Sequence, residues 1–169
     1  MRKHLKIVED HKASQGIRFL NFIIDRVVIY LLFFGFGVFS VLIFELLNID
    51  FFMNITDDLA NLNRFEDILI TGIVYFLYVF LMEYFANGRT LGKLITGTKV
   101  IAIDGEKPTV QDYFIRNISR FVPFDGLSFF GENGWHDSWS NTRVINLKKY
   151  NEQKFSKTDI DSIGIKEIS

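Results

Sequence analysis

Apolar positions along this chain gather in two blocks instead of spreading at the spacing of a soluble fold. From Val27 to Phe44 the sequence VVIYLLFFGFGVFSVLIF runs 18 residues without a charge. As a helix rising 1.5 Å per residue it would measure roughly 27 Å, close to the ~30 Å hydrocarbon core of a bilayer. Apolar character begins at Ile17 and Phe19 and lasts to Leu47, so the predicted helix, about residues 17–47, exceeds the span and tilts or protrudes. Gly35 and Gly37 lie inside it, as small residues do where membrane helices approach neighbours closely. The second block covers about residues 65–85, with 15 uncharged residues from Ile68 to Met82 and then Glu83. Length alone leaves a buried soluble helix in competition, but the polar segments around this block supply no core in which to bury it.

Beyond Gly88 the pattern changes. Thr98 to Ile103 alternates like a strand and closes on the Asp104-Gly105 turn; Asn141 to Leu147 has a similar pattern, and the two predict a small two-stranded ribbon. Between them, Thr109 with Asp112 three residues on marks a helix start, and Val110, Phe114, Ile118 and Phe121 share one face. Asp112, Arg116 and Arg120 form a charged stripe beside that face until Pro123. This predicts an amphipathic helix in the membrane interface, with Arg116, Arg120, Trp135 and Trp139 as interface residues, and the aromatic, Gly-broken stretch 124–139, too short to span, at the interface or packed against the helices, with re-entry of residues 124–130 into the bilayer left open. The fold class expected is therefore mainly α and membrane-embedded: two transmembrane helices, the interfacial helix and the ribbon on the cytosolic side. Residues 1–14 form a cytosolic segment, 15–147 the membrane domain, and 148–169 a charged tail without periodicity, expected to be disordered.

Charge decides orientation and excludes some functions. Arg2, Lys3, Lys6, Lys12, Arg18 and Arg26 precede the first span and Arg89, Lys93 and Lys99 follow the second, whereas Asn48 to Arg64 holds a single basic residue. The excess of Lys and Arg sets both termini in the cytosol and that loop outside. No small-residue cleavage site follows the first apolar run, so it is read as a retained anchor. A formal net charge of -1 with no long basic tract argues against a nucleic-acid partner. With no cysteine and three histidines, thiol catalysis and zinc ribbons are excluded and a metal cluster is not expected; no cofactor is called for.

Candidate chemistry lies on the first helix. Arg18, Asn21 and Asp25 recur at i, i+3 and i+7 on one face, and an ionisable residue in a membrane helix needs a partner or water. Placement at the hydrated interface is the plainer account of the same residues. Glu83, near the corresponding end of the second helix, could pair with Arg18 or Arg26. His136 and Asp137 are adjacent, which gives no coordination geometry. Gly88-Arg89-Thr90-Leu91-Gly92-Lys93 falls short of a phosphate loop, with three residues between its glycines and Leu94 where Ser or Thr would hold magnesium. No nucleophile-and-base set is present, and an enzyme is not expected.

The chain resembles the RDD family of small bacterial membrane proteins, from Ala13 to about Leu147. The likeness rests on Ala13-Ser14-Gln15-Gly16-Ile17-Arg18-Phe19 leading to Asp25, on Gly88-Arg89-Thr90-Leu91-Gly92-Lys93 followed by Gly97, Lys99 and Val100, and on Trp135-His136-Asp137 followed by Thr142, Val144 and Ile145. The resemblance implies that Arg18 is the family's arginine, Asp25 its first aspartate and Asp137 the match for its second. It also implies a bacterial inner membrane and a part in transport of undefined ligands, with some members similar to sodium/proton antiporters. On that basis Arg18, Asn21, Asp25, Glu83 and Asp137 are the expected ligand or ion pathway. Since two helices enclose no polar pathway, the lipid bilayer and a further copy, or another membrane protein, are the expected partners. The competing expectation is a non-transporting scaffold or accessory subunit in which the same residues are a structural network.

Overall fold

The structure is a computed structural model that describes residues 3–121 and 135–166. Its element order is α1 (Lys6–Asp10), α2 (Gln15–Leu47), α3 (Phe51–Ala60), α4 (Arg64–Phe85), α5 (Leu91–Ile95), β1 (Thr98–Ala102), α6 (Val110–Ile118) with a 3-10 turn at Ser119–Phe121, α7 (Trp135–Trp139), β2 (Thr142–Asn146) and α8 (Leu147–Lys166). The molecule is mainly helical, with two helices long and apolar enough to cross a membrane. In their most apolar 18-residue windows only 11% of α2 and 17% of α4 is buried within the protein. Phe34, Leu46, Phe65 and Phe85 are more than two-thirds exposed. The core helix of a soluble protein would hide such residues, and lipid is the solvent that accepts them.

Each end of these helices has a local cause. Ser14 caps α2 by accepting from the Ile17 N–H at 3.4 Å. Asn63 and Glu66 form a reciprocal capping box at the start of α4. The chain leaves α4 through Gly88, at φ +83°, whose N–H donates to the Glu83 carbonyl at 2.6 Å. A Cβ there would lie 2.5 Å from the Val100 carbonyl oxygen, so glycine alone fits. Beyond the expected loop between the spans, α3 folds back on α2. Thr56 donates to Ser40 at 3.0 Å, and the Phe52 ring meets those of Phe36 and Phe39 edge-on.

The ribbon forms as expected. β1 and β2 are antiparallel, with Val100 opposite Val144 and Thr98 opposite Asn146. The chain before α2 adds to the other edge of β2: Ala13 N–H donates to the Val144 carbonyl at 2.8 Å, and Asn146 N–H to that of His11 at 2.9 Å. This third segment supplies the cover that a lone two-stranded ribbon lacks. Val8, Ile101, Ile145 and Tyr150 pack on one side, and Ala13, Val100, Tyr113 and Val144 on the other.

Two expectations are corrected. The charged tail is helical, as α8, because Asn146 caps its first turn at Lys149 N–H (3.2 Å) and Tyr150 anchors it in the core around Val8. The helix starting at Thr109 does form, with its capping box, but its charged side turns inward: Arg116 is 1% exposed, while Val110, Phe114 and Ile118 face out. Arg116 is thus an interior residue, not one at a lipid interface. Trp139 is exposed. Residues 124–130 and the Trp135 side chain lie outside the described residues.

Candidate functional site

The first turns of α2 and the last turns of α4 lie together at one end of the helix pair. Arg18, Asn21, Asp25, Glu83 and Asp137 are all buried there, none more than 8% exposed. The i, i+3, i+7 spacing on α2 turns the first three to one side, and α5, α6, α7 and β2 close over them.

Asp25 is held by neutral donors. Its Oδ1 accepts from Tyr78 Oη at 3.0 Å and from the Gly92 N–H at 2.9 Å, and its Oδ2 from Thr90 Oγ1 at 2.6 Å. This explains the second glycine of the Gly88–Lys93 motif: a Cβ at Gly92 would sit 2.5 Å from the Asn21 carbonyl oxygen, so α5 reaches the carboxylate only because residue 92 has no side chain. Asn21 spans the same contact, accepting from Thr96 Oγ1 and donating to Thr98 Oγ1 at 3.0 Å.

The charged groups form a chain of pairs. Arg18 Nη1 lies 3.3 Å from Asp137 Oδ2, and Asp137 Oδ1 pairs closely with Arg116 Nη1. Arg116 reaches on to Glu83 at 3.4 Å and to Thr142 Oγ1 at 3.0 Å. Glu83, fully buried, also receives Lys93 Nζ at 2.9 Å and Asn117 Nδ2 at 3.0 Å, with Arg120 at 3.8 Å. Burial pushes the Lys93 amine below the ordinary lysine value, with Arg120 and Arg116 acting the same way and Glu83 opposing. Arg18 therefore meets Asp137 rather than Asp25, and Glu83 meets Lys93, Arg116 on α6 and Arg120 on the 3-10 turn rather than Arg18 or Arg26. Arg26 stands over the Tyr75 ring, 5.4 Å from its centroid.

At the centre is a cavity of about 20 Å³ whose walls, among the described residues, include Arg18, Asn21, Asp25, Lys93, Arg116 and Arg120, with Phe22 and Val144 as apolar sides. Above it Ile29, Tyr75 and Val79 pack into a largely apolar plug between α2 and α4. A second, wider cavity of about 300 Å³ opens at the far end between Phe33, Phe36, Leu59 and Ile70, with Asp67 on its wall.

Sequence reasoning missed Lys93, Thr90, Tyr78 and the inward role of Arg116 and Arg120. The signal for the first two was the Thr90-Leu91-Gly92-Lys93 stretch, which makes sense only once Asp25 is known to need donors.

Two apolar spans joined to a compact polar head by a buried charge network define a membrane protein. Its family model match, over residues 12–146, shows that the chain belongs to the RDD family. No match is found among curated proteins or among solved structures.

Proposed function

We propose that the chain takes part in moving ions or small ligands across the membrane as an assembly of copies, with the buried cluster as its ion-handling part. The observation that carries this reading is the burial of Arg18, Asp25, Glu83, Lys93, Arg116 and Asp137 at one end of two spanning helices, with a cavity lined by Arg18, Asp25, Lys93 and Arg116 among them. Charge in such a place is expensive and is kept where it serves a function. Within one chain the Ile29–Tyr75–Val79 plug separates the cluster from the far side. A pathway would then run between copies, or between this chain and another membrane protein, as it does at repeat interfaces in transporters. Cation/proton exchange in this scheme uses the Asp25 carboxylate as the relay. The reading assigns no enzymatic step and no nucleic-acid partner, and sets the chain in a bacterial cytoplasmic membrane with both ends cytosolic.

One observation favours a second reading, a non-transporting scaffold or accessory subunit. Both oxygens of Asp25 are engaged by donors from α4 and the α4–α5 region, which is what a structural clamp requires. Flux through purified protein in vesicles, with sodium, proton and chloride gradients imposed separately, separates the two. Asp25→Asn is a fair variant because hydroxyl partners can turn to suit an amide. Flux in wild type that is lost in folded Asp25→Asn supports transport; no flux in either, from folded protein, overturns it in favour of the scaffold.

A further inference from the structure

We propose that the wider cavity, between α2, α3 and the first turns of α4, binds a small organic monocation, a molecule with an apolar body and one ammonium-like charge. The site is separate from the buried cluster and does not rest on the transport reading, since occupancy is measurable whether or not the ligand travels further.

The register of the two spans sets the depth of this cavity. Asp25 meets Tyr78 at 3.0 Å, and Ile29 packs with Tyr75 and Val79, so each turn further along α2 faces a turn further back on α4. Phe33 is thereby brought level with Thr71, and Phe36 with Asp67, and all four line the cavity. Phe36 stands near the middle of the uncharged stretch from Val27 to Phe44, so the Asp67 carboxylate lies alongside that stretch and not beyond its end. Asp67 is nonetheless exposed. It accepts from the Thr71 hydroxyl at 3.3 Å, and among the described residues no Lys or Arg pairs with it. Its place in the first turn of α4 favours the charged form. A carboxylate at that depth calls for a cation or for water.

The walls choose the kind of cation. About 300 Å³ is at the lower end of pockets that hold small organic molecules. Tyr30, Phe33 and Phe36 bring aromatic rings, whose π faces attract a positive charge, and Leu59 and Ile70 add aliphatic surface. A bare metal ion asks for a shell of oxygen ligands, which walls made mostly of hydrocarbon do not offer. An anion would face Asp67, and a neutral molecule or a lipid chain would leave its charge unmet. The approach carries the same sign: from Asn48 to Arg64 the chain holds Asp50, Asp57 and Asp58 against Arg64, a balance that draws cations toward the mouth.

The experiment is equilibrium dialysis of the full-length chain in phosphatidylcholine nanodiscs against radiolabelled methyltriphenylphosphonium, with empty discs as the blank. Wild type is expected to bind close to one cation per chain above the blank. Asp67→Asn removes the charge and keeps an acceptor for the Thr71 hydroxyl; binding should weaken at least about tenfold. Ala60→Phe, which narrows the cavity from the end of α3, should weaken it in the same direction. Folded wild type that binds no more than empty discs, leaving lipid chains or water as the occupant, overturns the proposal. So does either folded variant binding as wild type does. Organic cation bound without flux in the vesicle assay would sink the transport reading and leave this site standing; flux without bound organic cation would do the reverse.

Discussion

Asp25 shows how one carboxylate can organise a fold. It lies on a membrane helix, 1% exposed, and its three donors come from the hydroxyl of Tyr78 on α4, the hydroxyl of Thr90 and the backbone of α5. Removing water from a carboxylate is tolerable only when its lone pairs are met, and in this cluster neutral groups meet them. Gly92 makes the approach feasible. Gly92→Ala would drive a methyl into the Asn21 backbone, where the Cβ would sit 2.5 Å from the carbonyl oxygen and 3.1 Å from Cα. Neither is the end of a flexible side chain, so α5 must withdraw and the N–H bond to Asp25 lengthens. Its cost is expected at about 2–3 kcal/mol, at the upper end of overpacking penalties. Thermal unfolding in detergent measures it, with Gly16→Ala as control because nothing lies within 4 Å of a Cβ there. Equal midpoints for the two variants would mean that α5 does not depend on a bare Cα at residue 92 to reach Asp25.

At the scale of elements, the two spans and the ribbon strands were legible in the sequence because each carries its own pattern. Uncharged length marks α2 and α4, alternation marks β1 and β2, and the Thr109–Asp112 box marks α6. What stayed hidden depends on partners far along the chain. The stripe of Asp112, Arg116 and Arg120 reads as a solvated face until Glu83 and Asp137, at least 21 positions away from Arg116, are known to meet it. The helicity of α8 was likewise hidden, since Tyr150 is a lone aromatic in a charged run until Val8 and Ile145 pack against it. α1 went unread for the same reason: it is five residues long and held from outside. Its attachment includes Glu9, which accepts from Arg143 Nε at 2.8 Å and pairs with Lys12 at 2.8 Å. Partial burial raises the Glu9 pKa, but Lys12 and Arg143 outweigh it and hold the carboxyl below its ordinary value of 4.5. A carboxylate depressed in the folded state adds stability that is complete above its unfolded pKa and lost as pH falls through the lower, folded one. Melting wild type and Glu9→Gln in detergent from pH 6 to pH 3 should therefore show the variant less stable at pH 6. The gap, about a few tenths of a kcal/mol for a partly exposed pair, should close in acid. A gap that stays constant across the range would mean that Glu9 contributes through packing and not through charge.

At the scale of the whole molecule, the polar head and the buried cluster sit at one end of the helix pair, and α3 sits at the other. Two antiparallel spans return the chain to the side on which it began, so α1, the ribbon and α8 share that side and α3 lies opposite. We propose that the head side is the cytosolic one, because nine Lys and Arg flank it, against Arg64 alone between the spans. The absence of cysteine makes this directly measurable, because any introduced thiol is the only one present. Asp58 on α3 and Lys149 on α8 are both exposed, and neither side chain belongs to the buried cluster. With a membrane-impermeant maleimide, Asp58→Cys is expected to label in right-side-out vesicles and Lys149→Cys only after the vesicles are inverted. Labelling of both from one face would refute the two-span topology, since α4 is the only candidate span between the two positions among the described residues and must then fail to cross. The reversed pattern would keep the fold and put the Arg18–Asp25 cluster at the outer surface. An ion entering the central cavity would then come from the medium, not from the cell interior.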